Sequence, residues 1–92
     1  GNDRLDLLKR IGVMWQQGAL FGSLSLLENV EMPLGEHTSL RADARAEVAR
    51  AKLGLVGLSE AAAKLPSEIS GGMLKRAGIA RALALDPPIL FL

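Results

Sequence analysis

The chain has 92 residues, a formal net charge of +1 and no cysteine. This length allows one small domain. Its core must be aliphatic, because 49% of the residues are hydrophobic and only 3% are aromatic. The near-neutral charge gives no electrostatic basis for binding nucleic acid, and the lack of cysteine excludes disulfides and thiolate metal sites. No apolar run approaches the roughly 18 residues of a membrane span, so we expect no direct membrane span.

The chain order predicts a strand at each end of a helical region. Residues 3–10 predict a short helix, and the apolar run 11–15 has the length of a buried strand. Residues 16–23 are rich in Gly, Gln and Ser and predict a loop. A second apolar run begins at residue 89. Parallel strands need a long crossover, so we expect the two runs to be neighbouring parallel strands of a longer domain.

Three helices are predicted between these strands. Ser25, with Glu28 three residues later, forms a capping-box pattern at the start of the first, which we expect to end near Pro33. The second and longest is expected over residues 40–56, and the third over residues 73–85.

The second helix is expected to be amphipathic. Gly54 or Gly57 provides its stop, and an Ala-rich stretch broken by Pro66 follows. Apolar residues recur at helical spacing, namely Leu40, Ala44, Val48, Ala51 and Leu55. The opposite face is expected to be solvated and ion-paired, with Arg41, Asp43, Arg45, Glu47, Arg50 and Lys52.

A possible anion site precedes the third helix, at Ser70, Gly71 and Gly72. Free N–H groups and the positive end of the helix dipole meet there, and glycine lets a phosphate approach the backbone closely. Such a triplet alone is more commonly an ordinary serine N-cap with glycine in the turn.

The longer string resembles the signature motif of ABC ATPases, L-S-G-G-Q-x-x-R-x-x-x-A-R-A-L. The residues in register are Ser70, Gly71, Gly72, Arg76, Ala80, Arg81, Ala82 and Leu83, while Ile69 replaces Leu and Met73 replaces Gln. The resemblance implies that Ser70, Gly71, Gly72 and Met73 bind the γ-phosphate of ATP held by the opposite subunit. It also implies ATP and Mg²⁺ as cofactors and a homodimer of ATPase domains.

The upstream residues resemble the Q-loop segment of the same family. Gln16 stands at the Q-loop glutamine, a catalytic residue in the family, although a surface loop amide is the simpler interpretation of its chemistry. An apolar cluster follows, comprising Leu20, Phe21, Leu24 and Leu27. Core packing explains this cluster by default. In the family, however, the surface near the Q-loop receives the transmembrane permease, so part of the cluster is a candidate partner interface.

The resemblance covers the middle of an ABC ATPase domain. Residues 86–92 resemble the start of the Walker B strand, but its acids and the Walker A loop are not in this sequence. The implied parts are a core helix and strand (1–15), the Q-loop (16–24), a helical subdomain (25–65), the signature motif and helix (66–85) and the start of the Walker B strand (86–92). The implied fold is mostly α, a helical subdomain flanked by two short parallel strands of an incomplete P-loop α/β core.

Two short strings, residues 33–38 and 70–73, are similar to the corresponding strings in the ATPases of Mla-type lipid transporters. These transporters are also known as organic-solvent (toluene) tolerance systems. Within the first string, His37 is expected to be a solvated loop residue. The resemblance implies an ATP-hydrolysing parent protein, located in the cytoplasm at the inner face of the membrane through its permease. These 92 residues alone are expected to be inactive. The alternative function is a self-standing helical interaction module with no nucleotide role.

Overall fold

The computed structural model of the chain describes residues 19–85. In that range it contains α1 (Leu26–His37), α2 (Ala42–Leu55), α3 (Gly71–Ala82) and 3-10 turns at Ser59–Ala61 and Pro66–Glu68. The expectation of a mostly helical chain is confirmed for this part. The helix predicted at residues 3–10 and the strands predicted at 11–15 and from residue 89 lie outside the described residues, so the flanking strand pair stays a prediction.

Helix α1 begins where the capping-box pattern predicted. The Ser25 hydroxyl oxygen accepts the N–H of Glu28 at 3.1 Å, and a Glu28 carboxylate oxygen accepts the N–H of Ser25 at 2.9 Å. The first two N–H groups of the helix itself donate to the carbonyl oxygens of Lys64 and Ala62, both at 2.9 Å. All the N–H groups at this helix start therefore have an acceptor within the chain.

The expectation that α1 ends near Pro33 is wrong. The helix continues through Pro33 to His37, with Thr38 as its C-cap. A proline inside a helix removes one backbone hydrogen bond and costs about 3 kcal/mol. The last turn forms nevertheless, because Leu34 is buried in the core and its carbonyl accepts the N–H of Thr38 at 3.1 Å. His37 is exposed as expected, but it is a helical residue and not a loop residue.

Helix α2 is the longest described helix, with 14 residues inside the predicted range. Of the two glycines expected to stop it, Gly57 has the left-handed conformation, with φ 75°. The N–H of Gly57 donates to the Gly54 carbonyl at 3.1 Å, and that of Leu58 donates to the Leu53 carbonyl at 2.9 Å. This bond pair is a Schellman motif, and both leucines are buried in the core.

The fully solvated charged face expected on α2 is wrong at one position. Lys52 is buried, at 9% exposure. The expected apolar face is also misplaced, because Leu40, Ala51 and Leu55 are exposed and the buried apolar residues are Ala49 and Leu53. The buried strip of this helix follows its packing partners, and the hydrocarbon stem of a lysine can cover apolar surface. Arg41 and Asp43 do form an ion pair at 4.0 Å. Both side chains are highly exposed, so this pair contributes little stability.

The core lies where the three helices meet, since α1 packs against α2 and α3, and α2 also packs against α3. Its buried members are Leu26, Val30 and Leu34 of α1, Ala49 and Leu53 of α2, Leu58 and Ala61 of the connection, Ala77 and Ala80 of α3, and Ala84. The small alanine side chains let α3 approach its neighbours closely. None of the helices between residues 19 and 85 is long and apolar enough to cross a bilayer.

Candidate functional site

A short turn fixes the direction in which the chain enters α3. In the 3-10 turn Pro66–Glu68, the N–H of Glu68 donates to the Leu65 carbonyl at 2.9 Å. The Glu68 carboxylate accepts the N–H of Leu65 at 2.8 Å. Ile69 is extended and packs its side chain against the core. Ser70 is thus held between a hydrogen-bonded turn and a helix.

Ser70 is the N-cap of α3, and its hydroxyl oxygen accepts the N–H of Met73 at 3.2 Å. This bond uses a lone pair of the oxygen, so the hydroxyl hydrogen is left to donate elsewhere. Ser70, Gly71 and Gly72 are all exposed. Ser70 therefore caps α3 and is still accessible from outside the described residues, as are the two glycines that follow it.

The two glycines of this loop are not required by the interior of the chain. Neither Gly71 nor Gly72 has a positive φ, since Gly57 is the one glycine between residues 19 and 85 with that conformation. A methyl group added at either position would meet nothing within 4 Å. Glycine costs up to about 1 kcal/mol against alanine in a helix. Among the described residues the space beside both glycines is therefore open, which leaves room for the close approach of a ligand.

The start of α3 also differs electrostatically from the other two helix starts. Helix α1 has Glu28 in its first turn and α2 has Asp43, whereas α3 has no acidic residue there. Within the described residues, no acceptor meets the N–H groups of Gly71 and Gly72. Free N–H groups, the positive end of the helix dipole and a first turn without an acidic residue together make this helix start a candidate anion-binding surface.

Two side chains of α3 attach this surface to the rest of the chain. Met73 is partly buried and packs against the core, so its contribution at the loop is its backbone, while its side chain anchors the first turn. The Arg76 guanidinium donates to the Val56 carbonyl, the C-cap of α2, at 3.1 Å. A cation at a helix C-terminus is favourable for the helix dipole.

The apolar cluster expected near the Q-loop divides into two pairs. Leu20 and Leu27 pack against the core, which is the default interpretation. Phe21 is 47% exposed, and its ring lies 5.1 Å from the guanidinium carbon of Arg81 on α3. Leu24 lines a shallow groove with Glu28, Glu31, Met32, Gly35 and Arg45. Phe21 and Leu24 therefore form the surface part of this cluster.

One important residue was given no role by the sequence. Asn29 is fully buried, and its side-chain amide lies within hydrogen-bonding distance of four backbone groups of residues 21–25. The sequence feature that could have identified Asn29 is a polar residue between Leu26 and Val30, on the apolar face of a predicted helix. Gln16 lies outside the described residues, so its position relative to the signature loop stays a prediction.

The described residues suit a phosphate group better than a metal ion. Between residues 19 and 85, no group of three His, Cys, Asp or Glu side chains is placed to hold a metal. The donors at the start of α3 are backbone N–H groups and a hydroxyl, which recognise oxyanions. A magnesium ion would need carboxylate ligands from elsewhere in the protein.

An open Ser-Gly-Gly helix start beside a three-helix bundle is consistent with the resemblance of this string to the signature motif of ABC ATPases. The ABC transporter family model matches residues 2–92, and the chain belongs to this family.

The chain is 53% identical over 79 residues, 86% of its length, to the probable ribonucleotide transport ATP-binding protein mkl of Mycobacterium tuberculosis. It is 47% identical over 85 residues, 92% of its length, to the intermembrane phospholipid transport system ATP-binding protein MlaF of Haemophilus influenzae. It is 46% identical over 82 residues, 89% of its length, to MlaF of Escherichia coli. These matches confirm the resemblance to Mla-type ATPases. They span 22%, 32% and 30% of the three relatives.

Proposed function

We propose that this chain is the helical and signature-motif part of the ATP-binding subunit of a lipid-transporting ABC transporter. In the assembled protein, Ser70, Gly71 and Gly72 bind the γ-phosphate of an ATP held by the opposite subunit. The observation that carries this proposal is the open start of α3, where Gly71 and Gly72 are exposed and no residue between 19 and 85 fills the space beside them.

Each residue of the loop has a distinct part in this function. The N–H groups of Gly71 and Gly72 donate to phosphate oxygens that approach along the helix axis. The Ser70 hydroxyl donates its hydrogen, while its oxygen stays bonded to the Met73 N–H and so cannot rotate away. These donors are fixed before ATP arrives, so little ordering is needed when the two subunits close.

Family membership supports two proposed partners. A second copy of the ATPase domain supplies the ATP that this loop contacts, and a transmembrane permease places the protein at the inner face of the membrane. Phe21 and Leu24 support a permease contact, because they are the cluster members that reach the surface or a groove. ATP and Mg²⁺ are bound mainly by parts of the domain beyond these residues, and Gln16 is the proposed catalytic residue of this chain.

Lipid is the proposed cargo because the names of both MlaF relatives specify phospholipid transport. The mycobacterial relative carries a ribonucleotide name, so the two classes of cargo need a direct comparison. Transporter complexes containing this chain should move labelled phospholipid between vesicles in an ATP-dependent manner and leave labelled ribonucleotide untransported. ATP-dependent movement of ribonucleotide alone would overturn the lipid assignment.

The phosphate-binding role is tested with Gly71→Asp in the complete ATPase subunit. An added carboxylate at the first residue of α3 repels phosphate, while an acid at a helix start generally stabilises the fold by about 0.3–1 kcal/mol. We expect a folded protein with no ATP-driven turnover.

Ala42→Asp is the matched control, because Ala42 is the first residue of α2 and is also exposed. It adds the same charge at the same helix position, away from the proposed ligand. Near-normal hydrolysis by a well-folded Gly71→Asp variant would leave Ser70 as a helix cap only, and equal losses in both variants would indicate a general charge effect.

A further inference from the structure

Asn29 makes an unusually complete set of contacts for a buried polar side chain. It is 0% exposed. Its side-chain oxygen accepts the N–H of Phe21 at 2.7 Å. Its side-chain nitrogen lies 3.1 Å from the Phe21 carbonyl, 3.1 Å from the Leu24 carbonyl and 2.9 Å from the Ser25 carbonyl. All of these partners are backbone groups of residues 21–25.

The amide is the side chain that this arrangement requires. One atom must accept and the other must donate, and a buried polar group without partners costs free energy. A leucine would leave the loop groups unpaired, and an aspartate would place an oxygen against carbonyl oxygens. Asn29 therefore fixes the path of residues 21–25 from inside the protein.

The fixed loop is also connected to α3. Phe21 projects to the surface, and the Arg81 guanidinium lies over its ring at 5.1 Å. A guanidinium over an aromatic face is attractive, and more so where water is partly excluded. Arg81 stands in the last turn of the helix whose first residue is Gly71. The loop and the phosphate-binding surface are thus attached to opposite ends of one helix.

We infer that Asn29 is a positioning residue that holds the permease-facing loop 21–25 in register with α3, so that displacement of the loop at the permease is passed to the signature loop. This inference rests on the proposed function. It assigns Asn29 no contact with ATP or with the reacting atoms. Its predicted effect is on the coupling between permease and hydrolysis, and not on ATP binding by the isolated subunit.

The test uses the complete ATPase subunit, alone and assembled with its permease in lipid vesicles. In Asn29→Asp, we expect permease-stimulated hydrolysis to fall on the order of ten- to a hundredfold, since small misplacements far from the chemistry have effects of that size. The KM for ATP of the subunit alone should stay within about twofold of wild type, because the substitution removes no contact with bound ATP.

Ser25→Ala is the matched control. The Ser25 hydroxyl caps the same helix through the Glu28 N–H, whereas Asn29 binds only the main-chain carbonyl of Ser25. The control therefore weakens the same helix start without removing the loop contacts, and stimulation per folded molecule should be kept. Equal losses in both variants would show that general helix stability explains the effect, and would overturn the inference.

A wild-type measurement decides the matter if Asn29→Asp does not fold. The Phe21 N–H, bonded to a buried oxygen, should exchange with deuterium slowly in the wild-type subunit. Fast exchange would overturn the inference. Full stimulation in a folded Asn29→Asp protein would also overturn it, with the proposed function intact. A wild-type complex that does not hydrolyse ATP would instead refute the proposed function.

Discussion

Replacing Gly72 by alanine should raise stability and lower activity in the same protein. Within the part of the chain that the structure describes, the added methyl group would meet nothing within 4 Å, and the helical backbone accepts alanine without strain. Glycine-to-alanine changes at such positions stabilise by about 0.4–1 kcal/mol, mainly through the unfolded state. In the proposed function, we expect a methyl group at this position to obstruct a phosphate that approaches the backbone N–H.

The functional loss can be scaled from the bonds involved. A hydrogen bond to a charged group contributes about 1.5–3 kcal/mol. Each 1.36 kcal/mol is a factor of about ten in rate, so losing one such bond lowers ATP hydrolysis roughly ten- to a hundredfold. We would measure hydrolysis per folded molecule in the complete ATPase, together with the midpoint of denaturant unfolding.

Gly57→Ala is the opposite control. Gly57 has φ 75°, and a methyl group there would lie 3.4 Å from the Arg76 guanidinium. The left-handed conformation costs a non-glycine residue about 1–2 kcal/mol, so this variant should unfold at lower denaturant while its folded fraction stays active. A Gly72→Ala protein with wild-type hydrolysis would refute the reasoning that the loop glycines serve an external phosphate.

Two further predictions concern the fold and the limits of the chain. Pro33→Ala should stabilise the protein, by less than the roughly 3 kcal/mol cost of an interior proline, because alanine restores an N–H to the middle of α1; an unchanged or lower unfolding midpoint would contradict this. The 92 residues alone should hydrolyse no ATP, because they contain neither the Walker A lysine nor the Walker B acids; metal-dependent phosphate release by the purified chain, above a blank, would show the opposite.

Local patterns were predictable from the sequence, whereas contacts between distant residues were not. The capping box at Ser25 and the stop at α2 depend on neighbouring residues, and both were anticipated. The end of α1 was misplaced, because burial of Leu34 outweighs the local effect of Pro33. The signature loop stays a prediction from its string, and the structure adds that the space beside its two glycines is open among residues 19–85.

The contacts that hold the site in place needed the tertiary structure. Arg76 reaches the Val56 carbonyl across 20 positions of sequence, and no periodicity indicates that contact. In the sequence, Asn29 only interrupts an apolar helix face. Its contacts with four backbone groups of residues 21–25 are visible only in the structure. Lys52 was assigned to the solvated face because charge is normally exposed, although packing buries it.

The length and packing of α3 bear on how the loop at residues 21–25 and the start of α3 could move together. Ser70 and Arg81 are separated by about three helical turns, or roughly 16 Å along the axis. A helix of this length, packed against two others, moves as a unit more readily than it bends. Because Arg81 contacts Phe21 at one end and the open N–H groups lie at the other, we expect a shift of the proposed permease-facing loop to move the proposed phosphate-binding surface with it. The Asn29 and Gly72 variants therefore test the same proposed connection through α3. Asn29→Asp perturbs the loop that contacts the C-terminal end of α3, and Gly72→Ala perturbs the N-terminal end.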